Sequence, residues 1–585
     1  MVDEILRITK MRYLIFLLAL AFPQVAGAQA ANVYITQNGS GNMDGSSLAN
    51  AGACDATPNS PQTTCAFFNN ASNWGTGPKQ IGPGTVIHLG DDGNPIMAAQ
   101  STSASYLQFQ GSGSTSGLIE LRLNAALVLS SPQFYIAIDG NNNSYLLIDS
   151  TAPCGPGTAC STNQSGTATI ENTANGTALT YQNLSILVYV SNGSNIEVKN
   201  LLTLNNYIRT AGSSDESAGA TGTENIFGAP GSNVYIHDIT GTYAEHNIAL
   251  GGTPHSASNW NIFNCKVWHQ VWGINVATGN SSQTISGVNI YGNEVNNYTE
   301  WNEASGGTFH FDGIFVYGQG TSDGSGSVDN VSIYNNYLWG NWGVNAGSAA
   351  PSAYVYTNGN LHTVNLFNNV FNVTSGGSVA DALYYYGNYI SNVLVANNTF
   401  VGYSNSSYGG GLAVLDFNMG PISNVSIQNN VFFNLWWAVN VSYSGPNVFD
   451  YNFYGGECHT FMCGGPGTYQ STTASTNYFN LTQATANGYP NYNNWQSTGN
   501  DVHGGYSDTI LNAGTFTLPV GSVGLQSANN LSSICAGQPN PGLGALCFDK
   551  SGTARPKAPT AWDAGAFQHG AAVINSPGGL VATGN

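Results

Sequence analysis

A histidine and an aspartate two residues apart, His310 and Asp312 in "GTFHFDGIFVYG", interrupt an apolar, aromatic run in a chain of 585 residues of which 7% are charged. An imidazole and a carboxyl so placed suit general acid–base chemistry. In a straight strand, alternation would turn both to the side of Ile314 and Val316, which read as core residues, and an unpaired charge is costly there. The Asp312-Gly313 step bends readily, so the expectation is a change of phase that turns the two polar side chains outward. An insertion just upstream, "NNYTEWNEASGGT", carries Glu300, Trp301 and Glu303, and earlier strands bring Glu245 with His246, then His269 with Trp272, into the same alignment. Carboxyls, imidazoles and indoles together are what a glycosidase needs: one carboxyl protonated as acid, a second ionised, and aromatic faces that hold sugar rings. The expected catalytic set is therefore Asp312, Glu303, Glu300, His310, His246 and Glu245. Asp312 with Glu303 or Glu300 forms the pair, and His310 or His246 orients it. Trp272, Trp301, His269, Tyr317 and Asp381 are expected to bind substrate. Each also has a plainer reading: "HFDG" as a capped turn, the loop glutamates as solvated charges, the tryptophans as packing between coils.

These residues sit in a repeated text. Blocks such as "NVYIHDI", "NVSIYNNYL", "TVNLFNNVF", "NVLVANNTF" and "NVSIQNNVF" alternate apolar and polar residues, then place Asn-Asn before another apolar pair. Period two marks a strand with one buried face. Aligned on Ile236, Ile262, Ile290, Ile333, Leu366, Val395 and Ile427, the blocks recur at steps of 26, 28, 43, 33, 29 and 32 residues. That spacing suits one turn of a parallel β-helix, and a propeller blade needs a longer, more uniform step. Asparagine tolerates the left-handed backbone of a bend, and recurring amides bond the coils above and below. Asn205/Asn206, Asn335/Asn336, Asn368/Asn369, Asn397/Asn398 and Asn429/Asn430 are the expected rungs. A second strand follows the first in each repeat, including "HNIAL", "WGINV" and "DGIFVYG". The expected fold is all-β, a right-handed parallel β-helix (solenoid) with an N-terminal cap and an irregular C-terminal cap. Its expected divisions are a signal peptide (1–30), a cap and first coils (31–110), the helix body (111–454) and C-terminal coils with a cap over the open end (455–585).

The chain's two ends carry a resemblance. The opening "VYITQNGSGNMDGSSLANA" holds a G-x-x-x-x-D-G-x-S segment, and the closing "FDKSGTARPKAPTAWDAGAFQ" holds D-x-x-G-x-x-R-P followed by D-x-G-A, at Asp549, Gly552, Arg555, Pro556, Asp563, Gly565 and Ala566. Both resemble the ends of secreted bacterial right-handed parallel β-helix proteins of the pectate-lyase-like superfamily. The resemblance implies architecture rather than one activity, since members include lyases, hydrolases, epimerases and adhesins.

Charge and cysteines narrow the partners. The formal net charge is −19, from 11 Lys+Arg against 30 Asp+Glu. Polybasic faces are what phosphate backbones and anionic membranes attract, so neither nucleic acid nor membrane is an expected partner. Arg7, Lys10 and Arg12, an apolar run from Tyr13 to Phe22 and "VAGAQA" read as a secretory signal, giving an extracellular protein, with periplasm or cell surface as variants. Cys54/Cys65, Cys154/Cys160, Cys458/Cys463 and Cys535/Cys547 read as local disulfides, and Cys265 as a buried free thiol. A lyase on uronate polymers must neutralise substrate carboxylates, yet residues 111–454 offer only Arg122, Lys199, Arg209 and Lys266 as cations. The leading expectation is thus a monomeric glycoside hydrolase on a neutral polysaccharide, with no cofactor required. The alternatives are a Ca2+-assisted lyase or epimerase using Arg209 or Lys266, and a non-catalytic carbohydrate-binding adhesin.

Overall fold

The computed structural model describes residues 32–77, 79–150, 167–174, 184–206, 223–251, 256–298, 311–320, 326–340, 352–373, 380–402, 413–418, 422–433, 437–442, 448–455, 476–480, 496, 499–507, 509–512 and 514–569. The signal segment, Cys154/Cys160 and Cys458/Cys463 lie outside them, as do His310, Glu300, Glu303, Trp301 and Arg209.

Strands pair in parallel with their counterparts one coil on, which makes the body a parallel β-helix. Three walls recur. The first runs through Val198, Ile236, Ile262, Ile290, Ile333, Leu366, Val395 and Ile427, all in register. The second runs through Val267, Val295, Leu338, Phe371, Phe400 and Phe432. The third runs through Ile226, Ile248, Ile274, Ile314, Val355 and Leu383. Inward side chains of the walls form one continuous apolar core.

Corners between walls are left-handed backbone positions, where asparagine is tolerated best among residues with a side chain. One corner column is Asn195, Asn233, Asn259, Gly287, Asn330, Thr363, Asn392 and Asn424, with φ between 53° and 72°. The next is Asn200, Asp238, Asn264, Gly292, Asn335, Asn368, Asn397, Asn429 and Tyr451, with φ between 55° and 66°. In each Asn-Asn pair the first asparagine turns the chain and the second enters the core.

That second asparagine builds the ladder. Nδ2 of Asn293, Asn336, Asn369 and Asn398 donates at 3.0 Å to Oδ1 of the next rung, ending in Asn430. Asn336 shows the full set. Its Oδ1 accepts from the backbone N–H and the amide of Asn293 at 3.0 Å, while its own amide also donates to Ile290 O at 2.9 Å. All four hydrogen-bonding positions of the buried amide are used, so burial leaves no orphan. The run continues through Asn452 to Asp501, whose Oδ1 accepts from the Asn452 amide at 2.8 Å and whose Oδ2 accepts from the Tyr454 hydroxyl at 2.5 Å. A carboxylate accepts and donates nothing, which is what a last rung requires. At the other end Cys265, a buried free cysteine, gives its N–H to Asn293 Oδ1 at 2.9 Å. Asn205/Asn206 do not belong to this ladder, contrary to the sequence expectation. Position 201 in this column is Leu, and Asn206 instead receives Asn172 Nδ2 at 2.9 Å and donates to Ser185 O and Glu224 O.

The expected C-terminal cap does two things. Thr476–Asn480 pairs antiparallel with Trp437–Ser442 and so closes an edge of the third wall. The later residues run back along the flank instead of sitting over the end. Asn368 Nδ2 donates to Phe548 O at 2.7 Å, Arg555 Nη2 to Asn368 Oδ1 at 2.9 Å, Asn397 Nδ2 to Asp563 O at 3.1 Å and Asn429 Nδ2 to Asn529 O at 2.8 Å. Lys550 Nζ donates to Asn335 O. Leu518, Leu546 and Trp562 bury Tyr334, Phe367 and Leu394 beneath this clasp. Disulfides Cys54–Cys65 and Cys535–Cys547 staple the two terminal regions.

Replacing Asn398 by Ala orphans the Asn369 backbone N–H and amide and takes a donor from Leu366 O and Asn430 Oδ1, and is expected to cost about 3–5 kcal/mol from the lost and stranded hydrogen bonds. Asn424→Ala, at an exposed corner, should cost less than half as much. Urea midpoints of the two variants check this, and equal midpoints would remove the ladder's claimed role.

Candidate functional site

The third wall carries the predicted residues. At its entrance the ladder skips Gly273 and Gly313, pairing Trp272 with Asp312 and Ile274 with Ile314. A side chain at Gly313 would strike Tyr298 Oη at 2.7 Å and Leu338 Cδ2 at 2.8 Å, and one at Gly273 would strike Val295 Cγ1 at 2.6 Å. Both glycines therefore face the core, as do Phe311 and Ile314 on either side of the Asp-Gly step. Two inward residues in succession, Gly313 and Ile314, are the phase change, and Asp312 lies on the outer side. It is nonetheless 0% exposed, and its Oδ1 accepts the Ala353 N–H at 3.2 Å.

Register turns this entrance into a column: Glu224, His246, Trp272, Asp312, Ala353 and Asp381 follow one another rung by rung. Rungs are about 4.8 Å apart. His246 Nδ1 lies 3.4 Å from Glu224 Oε1, and its ring is 4.5 Å from that of Trp272. Glu224 and His246 are 5% and 8% exposed. Burial pushes the Glu224 carboxyl above the usual carboxylate range, and the bond from His246 only partly offsets this. Glu224 was not among the predicted residues. Its signal is the text "ENIFG", which aligns with "HNIAL", "WGINV" and "DGIFV" and places an acid at the position of His246, Trp272 and Asp312.

An aromatic row lies beside the column. Phe315 is 6.1 Å from Trp272, 5.1 Å from Tyr356 and 5.9 Å from Tyr317, the rings nearly parallel in each case. Tyr317 thus joins this face. Two predicted residues stand elsewhere. His269 is a corner residue with φ 55°, stacked on Tyr243 at 4.7 Å, in the column Tyr243, His269, Asn297 and Gly340 that divides the second wall from the third. Burial lowers its pKa. Glu245 falls between rungs, with its N–H donated to Thr223 Oγ1 at 3.3 Å. Trp268 and Trp339 belong to the second wall, where Trp339 Nε1 donates to Glu294 Oε1 at 3.1 Å. Lys266 is there too, 3.2 Å from Glu294 Oε2.

Charged residues gather on the outside of the first wall: Arg122 pairs in register with Asp149 and Lys199 with His237, and Lys199 Nζ lies 3.9 Å from Asp149 Oδ2. Lys199 Nζ is 2.7 Å from Glu197 Oε1, and His237 sits between Glu197 Oε1 at 3.0 Å and Asp238 Oδ2 at 2.6 Å. Among the described residues no group of three or more His, Cys, Asp or Glu is arranged to hold a metal ion, and no helix is long and apolar enough to cross a membrane.

No family model matches the sequence, and no curated protein matches it. Among solved structures the chain is similar to pectate lyase Pel9A, at 13% identity over 93% of this chain and 97% of that one, with a TM-score of 0.38. It is also similar to PfbA, a surface adhesin of Streptococcus pneumoniae, at 12% identity over 63% of this chain and 84% of that one, with a TM-score of 0.30.

The His237 cluster gives a pH prediction. Burial opposes charge on His237, but the bonds to Asp238 and Glu197 outweigh it and raise its pKa above 6.5, so its stabilisation is complete below 6.5 and is lost as pH rises through the folded value. The bond from His237 lowers Glu197 from 4.5 to about 2, so that contribution is complete above 4.5 and is lost as pH falls toward 2. The contribution of the His237–Glu197 pair to stability should therefore be constant between pH 4.5 and 6.5. His237→Gln should flatten the decline of melting temperature above pH 6.5, and identical pH curves for the two proteins would contradict the assignment.

Proposed function

We propose that this is a secreted, monomeric polysaccharide-processing enzyme, a glycoside hydrolase that cleaves a neutral polysaccharide in a groove along the outer face of the third wall. The observation that carries the reading is Asp312: an outward carboxyl, fully buried, in register with an indole and an imidazole and flanked by stacked aromatic rings. A carboxyl in such surroundings suits acid–base work at a glycosidic bond. In the reaction one carboxyl gives its proton to the leaving oxygen, while the other takes a proton from the water attacking the anomeric carbon. Asp312 is one of the two, and Glu303 or Glu300 the other. His310 orients them, while His246, two rungs from Asp312, faces Glu224; Trp272, Trp301, Tyr317 and Asp381 hold sugar rings and hydroxyls.

A neutral substrate is favoured because a chain of net charge −19 repels polyuronates. Lys266, a cation the lyase reading needs, is engaged with Glu294 on another wall. No step requires Ca2+. Export is supported by the disulfides Cys54–Cys65 and Cys535–Cys547, which persist in oxidising compartments.

The test is a panel of neutral and acidic polysaccharides digested with wild type, Asp312→Asn and Glu303→Gln. Reducing ends are expected from a neutral glycan, with Asp312→Asn lowering kcat by about a hundredfold or more, the scale of one acid–base group. Ultraviolet-absorbing unsaturated products would favour the lyase. Binding without cleavage by wild type would leave a carbohydrate-binding protein.

A further inference from the structure

Past the third wall, each coil reaches the corner that opens the first wall, and the residue just ahead of that corner is serine in most coils. Backbone N–H groups tie these serines rung to rung: Ser194 donates to Ser144 Oγ, Ser232 to Ser194 Oγ and Ser258 to Ser232 Oγ, all at 3.0 Å. The column continues in register through Ser286, Asp329, His362, Ser391 and Ser423. Its inward neighbours Ile285, Val328, Leu361 and Ile390 are fully buried, so the column itself faces out. An acid and an imidazole thus replace two successive serines, and the next serine is bonded differently from the earlier ones: Ser391 Oγ lies 3.0 Å from His362 Nδ1. Asp329 stands one rung, about 4.8 Å, to the other side of His362. Burial raises the Asp329 carboxyl above the usual range, while the Ser327 hydroxyl and the charge of His362 pull it down.

We propose that Ser391, His362 and Asp329 form a second catalytic site, a serine esterase that hydrolyses short-chain carboxylic esters such as the O-acetyl groups of polysaccharides. The ester chemistry stands on the column alone, and the carbohydrate alcohol rests on the polysaccharide reading above. An acid, an imidazole and a hydroxyl in line are the parts of a nucleophilic serine, which is recognised by geometry rather than by sequence order. With the imidazole neutral and its proton on Nε2, Nδ1 takes the hydroxyl proton as Oγ attacks the acyl carbon, and the carbonyl electron pair moves onto oxygen. Collapse breaks the bond to the alcohol, which leaves with the proton from Nδ1. Water then gives a proton to Nδ1 and attacks the acyl-serine, and the second collapse releases the carboxylic acid while Nδ1 returns the proton to Oγ. Asp329 is a positioning residue that acts through His362, its charge favouring the imidazolium formed in each step. An alcohol leaves more readily than an amine, so an acid held a rung from the base suits an ester. The corner residues beside the site, Asn330, Thr363 and Asn392, are polar, which suits a hydroxylated alcohol and a short acyl group over a fatty chain. Asn392 has its Oδ1 occupied by Asn424 Nδ2 at 2.7 Å, and its own amide is the side-chain donor next to Ser391 for the developing oxyanion.

Two assays on the full chain test this. One is acetate release from p-nitrophenyl acetate and from acetylated xylan and glucomannan; the other is labelling by a fluorophosphonate, whose phosphorus loses fluoride to an activated serine Oγ, with the adduct located by peptide mass spectrometry. Wild type is expected to release acetate and to carry the label on Ser391 but not on Ser286 or Ser423, which share the column without being bonded to the imidazole. Ser391→Ala and His362→Gln should each lower kcat for acetate release by about a hundredfold or more, the scale of a lost nucleophile or base. Asp329→Asn should lower kcat by about tenfold with KM unchanged, the scale of one nearby charge, and Asp329→Glu should recover part of the loss. Acetate release unchanged in Ser391→Ala, label on Ser423 as readily as on Ser391, or no release from any of these esters by wild type overturns the site. Faster cleavage of p-nitrophenyl palmitate than of the acetate overturns the short-acyl assignment, and release from p-nitrophenyl acetate but from neither glycan overturns the carbohydrate assignment. Acetate and label are read separately from reducing ends, so failure of the glycan-cleaving reading and failure of this site are distinguishable. Should Ser391→Ala fail to fold, Ser391→Thr and the wild-type label carry the same measurement.

Discussion

The buried amide ladder from Asn293 to Asp501 is the interaction on which the rest depends. An asparagine inside a protein is tolerable only if both donors and both acceptor positions are met, and here each rung is met by the coil before it and the coil after it. A slip of one residue in any coil would strand two neighbouring amides in the core, so register is enforced where apolar residues alone would forgive it. In-register stacking then makes every outward position a column too. The candidate site is a consequence: residues 224 to 381 meet because the coils are locked, with no local motif bringing them together.

The same lock separates two kinds of surface. On the first wall, charged residues pair with one another: Arg122 with Glu120, Lys199 with Glu197, His237 with Glu197 and Asp238. Those groups satisfy their partners inside the chain. On the third wall, Glu224 and His246 stand 3.4 Å apart with atoms left unbonded, beside rings that stack in a row.

How far the sequence could be read follows from periodicity. Alternation and the Asn-Asn pairs suffice for the solenoid, and the Asp-Gly step suffices for the turn that places Asp312 outside the core. The asparagine before each first strand, at Asn233, Asn259, Asn330, Asn392 and Asn424, was equally visible but has its meaning only once φ is known. Asn205/Asn206 mimic the rungs in text, yet the column there is still filled by Leu201 and Ile239, so identical dipeptides serve different corners. Glu224 escaped because "ENIFG" follows an irregular stretch that hides its alignment with later copies. The flank clasp escaped for a deeper reason: it has no period, and its contacts join residues 100 to 215 positions apart.

That clasp has a consequence for how the molecule can change. A plain solenoid gains or loses whole coils freely, since each coil touches only its neighbours. Here the segment from Asn529 to Gly565 grips the corners at 335, 368, 397 and 429 at fixed intervals, like a ruler laid against the coils. A coil inserted or deleted within that stretch would leave every grip beyond it misaligned, so whole-coil variation is resisted between Asn335 and Asn429 and freer outside it, as in the coils that bear Glu224, His246, Trp272 and Asp312.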